Sequence, residues 1–204
     1  AGVTYFMQLD DDYTDFHYTT GKDGGYITSN IKIKCLDRII IHFLDFYKSI
    51  PAQSLAFGQG GDFVGGDNAS LWHYKLKRKA MNSFICSTER PFQFIGAMNE
   101  DVNTYTTAGS RGSLFFTSAL IRLEQKETQS QSGGITDMYL KYGTYCKAFT
   151  SLMMMPSGVK VSIIGPVNPR LHHRIAWNNT VPKIISESAR SPKVTATKQQ
   201  QDGV

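Results

Sequence analysis

Hydrophobic and polar positions along this chain fall into patterns that predict strands and helices in succession. Val3 to Leu9 is an apolar run of strand length. Residues 13–29, rich in Tyr, Thr and Gly, read as a loop or irregular hairpin. Between Ile31 and Ile50, residues Ile33, Leu36, Ile40, Phe43, Leu44 and Tyr47 recur at helical spacing, and Pro51 ends the predicted helix. Strands are expected at Ser54–Phe57, Asn82–Ser87 and Phe92–Ile95, with the strongest strand pattern at Ser113–Leu123. Ile135 to Met155 reads as a helix broken near Gly143 and stopped at Pro156, followed by a strand from Val159 to Ile164. Gly58–Gly66 and Gln125–Gly134 read as loops, and the first lacks the lysine and spacing of a phosphate-binding P-loop. The alternation predicts an α/β sandwich on a mixed sheet, occupying residues 1–187, with a polar, basic, poorly ordered tail over 188–204.

Composition fits that picture. The 204 residues are 41% hydrophobic and 19% charged, enough for one core, and 12% aromatic, which argues against disorder. The net charge of +5 suits a phosphate-bearing or nucleic-acid partner. Cys35, Cys86 and Cys146 are widely spaced, with neither a zinc signature nor a disulfide framework. Reduced thiols, no signal peptide and no apolar stretch of membrane-spanning length lead us to expect a cytoplasmic protein without a membrane partner.

Candidate chemistry begins where the first strand ends, at Asp10-Asp11-Asp12. Adjacent carboxylates repel one another, and a divalent cation is the usual way to make such a cluster favourable. A solvated acidic turn is the alternative. The second cluster is Asn99-Glu100-Asp101, following an apolar segment and opening a helix. A carboxylate there can serve as general base on an acceptor hydroxyl, or the cluster simply caps the helix, with Asn99 or an early Glu or Asp complementing its N-terminus. The third is His172-His173. Adjacent side chains on a strand point to opposite faces, so one imidazole is expected at a site and the other in solvent or packing. Neutral imidazole is a good ligand for Mn²⁺. The basic run Lys75 to Lys79 follows Trp72 and Tyr74. It is either a solvated face or a contact for an anionic acceptor. In the second case Lys75, Lys77, Arg78 and Lys79 meet phosphates, Trp72 or Tyr74 stacks on a displaced base, and Arg111 adds a contact from a flexible turn.

In this order the clusters resemble the glycosyltransferase A (GT-A) fold, in which a strand ends in an Asp-x-Asp motif. The wording Leu-Asp-Asp-Asp-Tyr, Asn-Glu-Asp-Val-Asn-Thr-Tyr and Leu-His-His-Arg-Ile-x-Trp is similar to phage TET-associated glycosyltransferases, which act on hydroxymethylated bases in DNA. The resemblance implies a GT-A-like mixed sheet flanked by helices, Mn²⁺ or Mg²⁺ as cofactor, and a nucleotide-sugar donor of the UDP-sugar type. It places Asp12, Asp10 and His172 or His173 on the metal, and Asp10, Asp11 and Arg174 on the donor. By charge, Arg174 or Lys183 can stabilise the leaving diphosphate, or simply lie at the surface. Asp101 or Glu100 becomes the base in an inverting reaction. The setting it implies is the cytoplasm of a phage-infected bacterium.

One departure from the pattern matters. The fold normally begins with a Rossmann-like, nucleotide-binding half ahead of the Asp cluster, here expected from elsewhere in the same protein or from a partner chain that completes the sheet. Two other readings stay open: a metal-dependent nuclease or nucleotidyltransferase using the same carboxylates, and a noncatalytic nucleic-acid-binding protein.

Overall fold

A computed structural model describes residues 2–21, 23, 25–59, 83–126, 136–143, 145–165, 169–180 and 187. Within them the elements are β1 (Tyr5–Gln8), β2 (Tyr13–Thr20), β3 (Tyr26–Lys32), α1 (Leu36–Ser49), β4 (Ser54–Gln59), β5 (Phe84–Ser87), α2 (Glu100–Ser110), β6 (Phe115–Gln125), α3 (Thr136–Tyr142), α4 (Tyr145–Met154), β7 (Val159–Ile164), β8 (Arg170–Ile175) and α5 (Trp177–Thr180). Six strands form one sheet in the order β1-β5-β4-β6-β2-β3, and β7 pairs with β8 separately. The sheet is mixed: β4 and β6 are parallel, while the other neighbours are antiparallel. This is the mixed α/β architecture expected from the sequence.

The strand directions position the site. β1 and β4 both run antiparallel to β5, and β6 runs parallel to β4, so β1, β4 and β6 end at the same edge of the sheet. The chain leaves β1 there and must cross to β2, which pairs with β6 on the far side of β4. Asp10, Asp11 and Asp12 make that crossing. Ligands of open α/β sheets bind outside the carboxyl ends of strands, where the chain switches direction across the sheet.

Alternation along the strands divides the core between the two faces of the sheet. Leu55 and Phe57 of β4 meet α1 on one face, packed with Ile39, Phe43, Leu44 and Tyr47. Between them Ala56 faces the other way, packing with Phe84, Cys86, Val102 and Tyr105. The Phe43 and Phe57 rings sit 4.9 Å apart. Arg90 closes the C-terminal end of α1: Nη1 donates to the carbonyls of Ile50 (2.6 Å) and Ala52 (2.7 Å), and the guanidinium lies 4.0 Å from the Tyr47 ring.

Most predicted elements are present, and the exceptions have identifiable causes. The irregular hairpin is β2–β3, whose register shifts between Tyr18 and Thr20. The helix over Ile31–Ile50 begins only at Leu36, because Ile31 and Lys32 pair with Tyr18 and His17 and the Ile33 amide donates to the Phe16 carbonyl. Phe92–Ile95 joins no ladder. Its backbone is held by the helix that follows: Thr104 Oγ1 accepts from the Ile95 amide at 2.9 Å, and Asn103 Nδ2 donates to the carbonyls of Ile95 (3.0 Å) and Met98 (2.9 Å). The helix break falls as expected at Gly143, at φ +85°. β8 carries the strand on which His172 and His173 were read, although Arg170–Ile175 is too polar to show hydrophobic alternation. Of the two expected loops, Gly58 and Gln59 instead continue β4 and Gln125 ends β6, each paired in the sheet; residues 60–66, 127–134 and the 188–204 tail lie outside the described residues.

Candidate active site

The Asp turn is short and tied at its far end, where the Asp12 carbonyl accepts a 3.1 Å hydrogen bond from the Lys126 amide just past β6. Asp10 and Asp11 are exposed and Asp12 is half-buried. Asp10 reaches solvent but loses part of its hydration to the surrounding protein, and that loss, with the charges of Asp12 and Asp11, pushes its carboxyl above the ordinary range; Glu100 adds to the shift. Glu100 belongs to α2, so the charge at the start of that helix is felt at the end of β1. Burial, reinforced by the Asp10 charge, also raises the phenol of Tyr13.

α2 brings its N-terminus to this edge. Its first two residues are Glu100, exposed, and Asp101, half-buried. Burial and then the charges of Glu100 and Asp101 push the Tyr139 phenol of α3 upward, which puts that ring beside the acidic pair. Capping accounts for the acidic residues by charge, but the N-cap side chain is employed differently. Asn99 adopts the left-handed conformation (φ 50°, ψ 36°) and makes no side-chain cap hydrogen bond. Its Nδ2 instead lies 2.9 Å from the Lys147 carbonyl, 2.9 Å from Ser151 Oγ and 3.1 Å from His173 Nδ1. One buried amide thereby joins α2, α4 and β8.

The histidines do not diverge as strand alternation predicts. Their rings stack, with centroids 4.2 Å apart and planes at 29°. The Asn99 contact draws His173 toward α2, and the short two-stranded ribbon that carries it has the freedom to twist. Arg174 is exposed on β8, with Lys160 opposite it. Arg111 caps the C-terminal end of α2, roughly 16 Å along the helix from Glu100, so it stands apart from the acidic pair. Its turn is fixed rather than flexible: the Ser113 amide donates to the Ala108 carbonyl and the Gly112 amide to the Gly109 carbonyl, with Gly112 at φ 103°. Trp72, Tyr74, Lys75, Lys77, Arg78, Lys79 and Lys183 lie outside the described residues.

Among the described residues no three His, Cys, Asp or Glu side chains close into a metal-holding group. Mg²⁺ is usually held by one or two carboxylates together with substrate phosphates, so a full protein cage is not needed. The Asp turn fits such an ion. It offers hard oxygen donors pressed together against their own repulsion, and Asp12 Oδ1 is buried with no hydrogen-bond partner.

A family model described as TET-associated glycosyltransferase (TAGT) matches residues 1–134, well over half of the chain. The chain belongs to the TAGT family. It is an enzyme that transfers sugars, on a mixed α/β scaffold consistent with a GT-A-like fold. No curated protein and no solved structure matches it. The matched span of this TAGT chain holds the Asp turn and the Glu100–Asp101 pair; Tyr139, His172 and His173 lie beyond it. Among the described residues no helix is long and apolar enough to cross a membrane.

Sequence reasoning named the acidic clusters and the histidines as separate motifs. It gave no role to Tyr13, Tyr139, Lys147 or Ser151, and read Asn99 as a cap. Tyr13 follows the Asp triad directly and was open to notice. Nothing local marks Tyr139 or Ser151, which come to the site only through the packing of α3 and α4.

Proposed function

We propose that this glycosyltransferase moves a sugar from a nucleotide-sugar donor, of the UDP-sugar type, to a hydroxyl acceptor, with a hydroxymethylated base in DNA as the acceptor class. The observation that carries the reading is the family match over residues 1–134, which spans both acidic clusters; the contribution of the Glu100 charge to the raised Asp10 carboxyl supports their acting together. Asp10 and Asp12 would hold Mn²⁺ or Mg²⁺, which supplies neutralisation of the charge that develops on the leaving diphosphate. Asp11, exposed beside them, and Arg174 face solvent where a donor could be met. Asp101, half-buried and next to Glu100, would accept the acceptor's hydroxyl proton in an inverting reaction. Among the described residues β1 is an edge strand of the sheet, and that edge is where a further strand from the same protein or a partner chain would extend it. For DNA as acceptor, the basic run around Lys77 and Arg78 supplies phosphate contacts, and transfer should weaken with added salt.

The test is donor hydrolysis and transfer with a panel of nucleotide sugars in Mn²⁺, comparing wild type, Asp12→Asn and Asp101→Asn. One donor is expected to be consumed by the wild type, with consumption falling to background in Asp12→Asn. Transfer to hydroxymethylated DNA should fall about 10²–10⁴-fold in Asp101→Asn. Hydrolysis that ignores Asp12→Asn, or cleavage of nucleic acid with no sugar donor present, would overturn the reading.

A further inference from the structure

Cys35, the N-cap of α1, begins a series with Arg38, Ile39, His42 and Phe43 whose three- and four-residue spacing puts all five on one stripe of the helix. Ile39 and Phe43 pack on Phe57, Ile121 and Leu123 of the sheet. Beside that contact the helix does not fill the space above the strands, and a cavity of about 460 Å³ lies between α1, β2 and β6. Its walls include Ile39 and Phe43 of the helix, with Tyr18 and Ile121, partners across the β2–β6 ladder. A cavity of this size with apolar walls and a few polar groups is the usual form of a small-molecule site.

The polar groups of the wall come together. Tyr18 Oη stands 3.9 Å from Cys35 Sγ. That hydrogen bond pushes the phenol upward, and the charge of Arg38 opposes the shift, so the guanidinium is felt at the same place. Among the described residues Arg38 forms no ion pair, and no carboxylate lines the cavity. A guanidinium keeps its charge at any working pH, and its planar fork of donors matches the paired oxygens of a carboxylate or sulfonate.

Neither acidic motif borders this cavity. Tyr18 lies roughly 15 Å along β2 from Tyr13, by the rise of a strand. The cavity opens on the α1 face of the sheet, whereas α2 packs on the opposite face. We propose that it is a second ligand site, for a small amphipathic acid, whose apolar body packs against Ile39, Phe43 and Ile121 while its carboxylate or sulfonate meets the Arg38 guanidinium and the Tyr18 phenol. The volume holds one small body, and the one unpaired guanidinium matches one anionic head. Apolar burial supplies the attraction, and the charge contact selects acids over neutral compounds of the same shape.

The experiment is a fluorescence titration of the full chain with 8-anilinonaphthalene-1-sulfonate, an aromatic body ending in a sulfonate. Binding should saturate at one probe per chain. Arg38 is exposed, so its substitution leaves the core alone. Arg38→Gln should weaken binding by about fivefold or more, and Arg38→Glu further still. Inorganic sulfate, which has the head without the body, should not displace the probe. In the wild type, probe at about ten times its Kd should slow N-ethylmaleimide at Cys35 by about tenfold and leave Cys146, in α4, unprotected. Binding that does not saturate, affinity unchanged in both Arg38 variants, displacement by sulfate, or an unprotected Cys35 overturns the proposal. Displacement by a uridine nucleotide with Mn²⁺ also overturns it, because the cavity would then belong to the donor. Affinity that falls as the protein concentration rises would give the cavity to a second copy of the chain instead.

Discussion

At the scale of single residues, the Asp turn holds like charges together at a cost to stability. Asp10 binds its proton more tightly in the folded protein than in the unfolded chain, because lost hydration and the charges of Asp12, Asp11 and Glu100 oppose its ionised form. A carboxyl raised in this way favours folding below the ordinary aspartate range, and that contribution is lost as pH rises through the raised value. Asp10→Asn removes the repulsion. In metal-free protein at neutral pH it should raise the melting midpoint by about 1–2 °C after allowance for solvent screening, while lowering transfer. The gain should shrink as pH falls through the carboxylate range. Thermal unfolding of the two proteins across pH checks this, and an unchanged or lower midpoint at pH 7 would show that the cluster is not repulsive. The Asp-Asp-Asp spelling made the cluster legible in the sequence. Its coupling to Glu100 was not legible, since no local pattern brings the start of α2 to the end of β1.

At the scale of elements, the junction among α2, α5 and the turn before β7 is closed by glycines. A β-carbon on Gly158 would meet Thr180 Cγ2 at 2.4 Å, and one on Gly109 would meet the Thr180 carbonyl oxygen at 2.5 Å. Thr180 is buried, and nearby the rings of Tyr105 and Trp177 stack with centroids 5.6 Å apart. Gly158→Ala and Gly109→Ala should each destabilise by about 1–3 kcal/mol through overpacking. Thr180→Ser removes the methyl but not the carbonyl, so it should rescue Gly158→Ala and leave Gly109→Ala unrescued. Denaturant unfolding of the single and double variants reads this difference. Equal rescue of both would mean that the contact assignments are wrong. The same scale explains the strand that was expected and did not form. Asn103 and Thr104, polar residues buried in α2, take over the backbone groups of Ile95 and Met98 that a neighbouring strand would otherwise satisfy.

Across the whole molecule, the sheet separates two cores and hides Cys86 between β1 and β4. Burial pushes its thiol up to about 12, far from the thiolate that reacts with disulfide reagents. Cys35 and Cys146 are half-buried. In the native protein, a thiol-titrating disulfide reagent should modify those two at neutral pH and reach Cys86 only through global unfolding. The Cys86 labelling rate should therefore rise with denaturant in step with the unfolding transition. Rapid labelling of all three thiols without denaturant would mean that the sheet opens locally.

The sequence alone determined the local features. Helical spacing marked the body of α1, a stretch rich in apolar and β-favouring residues marked β6, a glycine marked the break between α3 and α4, and two short acidic motifs marked the ends of β1 and the start of α2. Each depends on residues near one another along the chain, where side-chain periodicity and like-charge crowding are written directly. Only the tertiary structure decided where α1 begins, since Ile31 and Lys32 gain a ladder from β2 that outweighs their helical spacing. It also decided that His172 and His173 stack, and that Asn99 reaches α4 and β8 instead of capping its own helix. Those outcomes depend on hydrogen bonds between residues distant in sequence, and the energy of a buried donor or acceptor is set by whichever partner the fold brings within reach.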